Sequence, residues 1–284
     1  MSGFSADWLA LREPYDARAR NRDVLDAVAA AVAARGAVAV VDLACGTGAT
    51  LRAIGNRLPG RQDWRLVDNN LSLLARAAQS APVKGRVVRA TPVDLNRDLE
   101  AALDGPVDLV TTSALLDLVS ADWLDRMAVE TAARRLPVYA ALSYDGRVTF
   151  DPADPLDDAV IAAVNEHQQT DKGFGRALGP RAAAAVIARF KALGYAVIEG
   201  RSDWRFGPRD RPIQLDMLAA WAGAARETGK VSLPDAAAWL TRRRDHVSAG
   251  RSAIVVGHVD FFARPIATRQ ADRSQSNSTS SPSG

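Results

Sequence analysis

The sequence is poor in the residues that most often announce a function. It holds a single cysteine, Cys45, in 284 residues. That excludes an intrachain disulfide, a cysteine-rich zinc cage and a three-cysteine iron–sulfur loop, and it fits a reducing compartment such as the cytoplasm. Histidines number three. His246 and His258 have no partners at ligand spacing, so no metal site is expected. No apolar run approaches the roughly 18 residues of a membrane span. The opening stretch, MSGFSADWLALREPYD, lacks the basic-then-apolar pattern of a secretory signal. Charge of one sign is also scarce: 36 basic against 33 acidic side chains leave a net +3, too little for a nucleic-acid face. No lysine precedes Lys84, which removes a Walker-type phosphate loop from the first quarter of the chain.

What is present is an alternation of short apolar runs with helical patterns. AVAVVDL at 37–43 is continuously apolar, as suits a strand covered on both faces. Runs at 64–68, 85–90, 107–113 and 137–145 repeat it, with helices expected at 48–58, 70–80, 96–103 and 121–135 between them. Two helices precede this series, one over 4–16 broken or restarted at Pro14, the other with Val24, Leu25, Val28 and Val32 on its apolar side. Later, helices are expected around 156–168, 180–193, 212–228 and 234–248, with a sixth strand at 195–206 and a seventh within RSAIVVGHVDFFAR. The expectation is a helical segment or lid at 1–36, a main α/β domain at 37–264 with an insert at about 146–180, and a Ser-rich disordered tail at 265–284.

The most informative stretch is VVDLACGTGATLR, residues 40–52. A dinucleotide fingerprint would need a small residue where Leu51 stands. Asp42, Ala44, Cys45, Gly46, Thr47 and Gly48 resemble motif I of the class I S-adenosylmethionine (SAM)-dependent methyltransferases, with Ala44 at a position usually held by glycine. The glycines would let the backbone turn tightly against a bulky ligand, and the helix beyond would favour a carboxylate. The resemblance covers about residues 20–263. It implies a seven-stranded, mostly parallel, doubly wound α/β sheet with an antiparallel edge hairpin and N-terminal helices. It places Asp68 on the ribose hydroxyls, Asn69 beside the adenine, and Asp94 with Leu95 near the adenine amino group. It also puts the end of DLVTTSALLDLVS, with Ser113, beside the transferable methyl. Tyr15, Arg12, Arg18 and Arg20 lie close enough in sequence to fold over the cofactor and pair with its carboxylate, of which Tyr15 and Arg20 are taken as cofactor-binding.

Methyl transfer from a sulfonium is an in-line displacement, aided by a base when the acceptor must lose a proton. No Asn/Asp-Pro-Pro-aromatic motif follows the fourth strand and no Pro-Cys nucleophile is present, which argues against methylation of nucleic-acid bases. The expected reaction is transfer to an oxygen or nitrogen of a small-molecule acceptor. His167 in the polar insert, Tyr144 at a strand end and Asp117 after the fourth strand are the catalytic candidates. Trp204 is read either as a wall of the acceptor pocket or as an anchor of an edge strand. A non-catalytic SAM- or nucleotide-binding module and an NAD(P)-dependent oxidoreductase are the competing readings. No membrane partner is expected, and a homodimer is left open.

Overall fold

In the computed structural model, residues 4–79 and 83–266 are described. Of the tail expected at 265–284, Pro265 instead ends a strand, and the residues from Ala267 on lie outside the described residues. β1 (Ala37–Leu43) sits near the middle of the sheet, parallel to β2 (Arg61–Asp68) on one side and β4 (Leu109–Ser113) on the other. β3 (Arg86–Pro92) extends the sheet beyond β2, and β5 (Val138–Asp151) lies parallel to β4. β8 (Ala253–Pro265) enters antiparallel to β5 and is paired on its far side by β6 (Tyr195–Arg201) and β7 (Trp204–Phe206). The order is β3-β2-β1-β4-β5-β8-β6, with β7 also on β8.

The strands feed two cores because alternate side chains leave opposite faces. Val38, Val40, Trp64, Leu66, Tyr139 and Phe262 bury on one face, and Val41, Leu43, Val67, Val138 and Phe261 on the other. The first face is covered by α2 (Arg22–Val32) and α3 (Ala49–Ile54), and the second by α6 (Ala121–Ala133) and α8 (Ala182–Ala192). The doubly wound α/β expectation holds.

Three local expectations are corrected. First, the described residues form eight strands, because 195–206 is split at Ser202–Asp203. Ser202 donates its amide to the His258 carbonyl, and Asp203 Oδ1 accepts from the His258 amide at 3.3 Å and from Arg147 at 2.9 Å. Second, α1 (Ala6–Ala19) runs through Pro14 without breaking. Proline forfeits one helical hydrogen bond, and the turn beyond it is pinned from outside: Tyr15 donates to Asp210 at 2.9 Å and Trp204 Nε1 to Asp16 at 2.9 Å. Third, β5 runs on to Asp151, through residues whose turn-rich composition reads as loop. Its second half pairs with Ala253–Val256 after two register shifts, one between Ala140 and Ser143 and one between Tyr144 and Val148.

That extension carries a helical layer of α7 (Asp157–His167), α9 (Arg211–Glu227) and α10 (Leu233–Ser248), which pack on one another. Its anchor is a buried ion pair. Arg243, fully buried, donates Nε to Asp157 Oδ1 at 3.1 Å, pairs with the other carboxylate oxygen, donates to the Pro152 carbonyl at 2.6 Å, and lies over the Phe150 ring at 4.2 Å. Trp239 Nε1 donates to the same carboxylate at 2.8 Å. Replacing Arg243 by alanine strands Asp157 out of water. The expected cost is about 3–5 kcal/mol, read as a lower urea midpoint with an unchanged slope.

Candidate functional site

Two hollows meet at the ends of β1, β2 and β4, where the parallel strands point their carboxyl ends. The first has a volume of about 720 Å³. Its floor is the turn after β1. Ala44, Gly46 and Gly48 all have positive φ (52°, 54° and 82°), so the chain coils tightly and presents backbone to the hollow. A Cβ on Gly46 would come within 3.2 Å of the Leu9 side chain on α1 and would strain the positive φ, so the turn and α1 pack closely over a bare α-carbon there. Asp68 fixes the turn from the side: its Oδ2 accepts from the Gly46 amide and its Oδ1 from the Asn70 amide, both at 2.9 Å. Each oxygen keeps lone pairs for a ligand.

Ala44, Cys45, Gly46, Asp68, Asn69, Asp94 and Ser113 line this hollow. Cys45 is a packing residue, since burial and the nearby Asp42 charge push its thiol well above the usual range. Five other expected cofactor residues lie elsewhere. Asp42 is fully buried beneath the turn, where Oδ1 accepts from Thr111 at 2.7 Å, and burial raises its pKa to about 7. Gly48 caps α3 behind the turn. The Leu95 side chain is core, and its carbonyl accepts from Trp123 Nε1 at 2.7 Å. Tyr15 faces a different cleft, with Arg18, Arg201 and Arg205. Arg20 is buried under the floor and donates to Tyr139 at 3.1 Å and to Thr50 and Ser113 at 3.4 Å. Of the four N-terminal side chains considered for the cofactor carboxylate, Arg12 alone lines the hollow. The far end is closed by Asn96, which donates to the Gly173 carbonyl at 3.1 Å, and by Phe174 set edge-on to Trp123.

The second hollow, about 600 Å³, adjoins the first and shares Phe4, Arg12, Ala114, Leu118 and Lys172 with it. Its walls are apolar and aromatic: Trp8, Trp204 and Trp221, Leu142, Met217 and Val256. All three catalytic candidates border it, in different states. His167 pairs its Nε2 with Glu227 at 3.0 Å on the surface. Tyr144 donates its hydroxyl to Asn165 at 2.7 Å, and burial raises its pKa beyond the ordinary tyrosine value. Asp117 is buried with Oδ1 unpartnered. Burial lifts its pKa to about 6, against the pull of the Arg12 charge.

Sequence reasoning missed His258, which is buried at the chamber wall between Trp204 (centroids 4.7 Å) and Tyr144 (6.1 Å). The available signal was a histidine inside an otherwise apolar strand. Burial, reinforced by Arg12, lowers its pKa to about 3, so the ring is neutral. Among the described residues no cluster of three or more metal-ligating side chains occurs, and no helix is long and apolar enough to cross a membrane.

A family model described as "Methyltransferase domain" matches residues 40–136, the span holding the turn, Asp68, Asp94 and β4. No curated protein matches the sequence significantly. Among solved structures, the cyclopropane synthase MmaA2 from Mycobacterium tuberculosis is 13% identical, with 92% of this chain and 94% of that one covered at a TM-score of 0.50. A SAM-dependent methyltransferase from Thiobacillus denitrificans, solved with S-adenosyl-L-homocysteine, is 18% identical, with 92% and 99% covered at 0.46. At such identities, the match to the synthase speaks for the fold.

The His258 ring yields a stability test. Its folded pKa lies below the unfolded value of about 6.5, so the unfolded state binds the extra proton and stability falls as pH drops between the two values. Relative to His258→Asn, the wild type should lose stability from pH 6.5 downwards, by up to about 1.4 kcal/mol per pH unit. Chemical denaturation of both proteins at pH 7.5, 6 and 5 measures it; a constant difference would mean a solvated ring.

Proposed function

We propose that this chain, whose residues 40–136 match a methyltransferase-domain model, is a class I SAM-dependent methyltransferase that transfers a methyl group to an oxygen or nitrogen of a small, largely apolar acceptor seated in the second hollow. The observation that carries this reading is the shared wall. The two hollows join along Ala114, Leu118, Arg12 and Lys172 at the end of β4, and Asp117 stands between the two β4-side residues.

SAM is the family's cofactor, and the first hollow fits it. Its floor is a cradle that a Cβ at Gly46 would crowd, and beside it stands a carboxylate braced by two backbone amides. Asp68 would take the ribose hydroxyls, and Asn69, Asp94 and Asn96 the adenine side. Arg12 and Ser113 stand at the end nearest the second hollow. When bound, SAM supplies an electrophilic methyl carbon on a sulfonium sulfur.

The chain's own contribution is alignment, exclusion of water and removal of a proton. Three tryptophans line the acceptor's hollow, and apolar surroundings strengthen the charges set among them. Asp117 at about pKa 6 is largely ionised at neutral pH and still basic enough to accept a proton. His167 is held by Glu227 and Tyr144 keeps its proton, so neither matches it. Asp117 would take the proton from the acceptor's O–H or N–H as that oxygen or nitrogen displaces the methyl from the sulfonium sulfur, which would leave as a neutral thioether. A nucleic-acid acceptor is disfavoured by the net charge of +3 and by the apolar walls.

Two measurements test the reading. Asp68→Ala should weaken SAM binding at least about 100-fold in titration calorimetry, the loss expected for deleting a charged acceptor that serves two hydroxyls, while far-ultraviolet circular dichroism stays unchanged. Undiminished affinity would remove Asp68 from the site. With an acceptor in hand, kcat/KM should rise with pH through about 6 as Asp117 ionises. Asp117→Asn should lower kcat by about 10²–10⁴-fold, abolish that limb and leave SAM affinity intact; a variant that keeps both rate and limb would exclude Asp117 as the base.

A further inference from the structure

His258 has its tautomer set by the backbone. Its Nδ1 lies 3.1 Å from the Val256 carbonyl oxygen. A carbonyl only accepts, so the proton resides on Nδ1 and Nε2 carries a lone pair. Among the described residues no protein group hydrogen-bonds to Nε2, and His258 borders the second hollow but not the first. It stands on β8 opposite Tyr144, at the wall of the second hollow. Trp204 and Tyr144 flank the ring. A neutral acceptor of hydrogen bonds set between two aromatic rings is an arrangement for reading a donor on a flat molecule.

We infer that the acceptor is an aromatic molecule with two polar groups: its nucleophilic group lies at the doorway beside Asp117, and a second, uncharged hydroxyl donates to His258 Nε2. Three further observations bear on this. The chamber, at about 600 Å³, falls within the range of small-molecule pockets, roughly 300–1,000 Å³. Its tryptophans offer ring faces and edges to a flat ligand. A cationic donor such as an ammonium is disfavoured there, because Arg12 already places a positive charge close enough to bear on the imidazole. A ligand without the second donor would leave the lone pair buried and unmet, which the chamber should reject.

The inference rests on the methyltransferase reading, and its test separates the two. The probes are naphthalene-2,6-diol and 2-naphthol, which differ only in the second hydroxyl. Binding of each to the protein loaded with S-adenosyl-L-homocysteine is followed by quenching of the chamber tryptophans. The wild type should bind the diol about 10–100-fold more tightly. His258→Phe, which keeps an aromatic ring between Trp204 and Tyr144, should erase that preference and retain the affinity for 2-naphthol. Equal affinities in the wild type, or a preference that survives in the variant, would overturn the inference; the wild-type comparison stands even if the variant does not fold. If the diol is preferred through His258 yet neither it nor any other aromatic alcohol takes label from SAM, the catalytic reading fails and the recognition reading stands.

Discussion

Arg20 carries its charge wholly out of water, in the company of Asp16, Asp42 and Asp260, which are also buried. Burial pushes all three carboxyl groups upward, and the Arg20 charge opposes that push in each. Taking an ion out of water is costly unless partners surround it, so this cluster exists only when α1, β1 and β8 are in register at once. Its hydrogen bonds then reach outward. Through Thr50 and Ser113, Arg20 fixes two residues of the first hollow from beneath. Asp260 accepts from the Asn21 amide at 2.9 Å and from the Leu142 amide at 2.8 Å. The second of those bonds holds the β5 irregularity where Leu142 takes φ 56°, and Leu142 and Tyr144 there line the second hollow.

The two hollows are built by different means. The first is backbone and carboxylate: a tight turn, amides and the braced Asp68. The second is side chain and ring, closed by helices that owe their position to the Arg243–Asp157 pair. A surface of fixed amides suits a ligand of fixed shape, whereas an aromatic lining discriminates by flatness and by the few polar atoms set into it. Between them lies one strand end.

Much of the first hollow was legible in the chain. Strand runs covered on both faces declare themselves as unbroken apolar stretches, and the turn between β1 and α3 carries its conformation in its glycines. The acids at the ends of β2 and β3 follow from counting strands. Arg20 was not legible in the same sense: in sequence it is one of several arginines in a basic helix end, and only the approach of Asp260, far along the chain, makes it interior. Tyr15 went the other way, since its hydroxyl was claimed by Asp210. The extension of β5 was hidden because Asp145, Gly146 and Arg147 look like a turn, whereas in the fold Arg147 pairs with Asp145 and Asp203 and the strand continues. His258 was masked by the same irregularities. They shift the pairing of β8 against β5, so a strict two-residue alternation does not say which way the ring points.

The two hollows are also partitioned along the chain. Apart from α1, the first is built chiefly between Ala44 and Leu118, and the second chiefly from residues beyond Leu142. Changes in the later helices can therefore reshape the second hollow while leaving the turn and carboxylate of the first as they are. The few positions common to both, Phe4, Arg12, Ala114, Leu118 and Lys172, are where one substitution would alter both hollows at once.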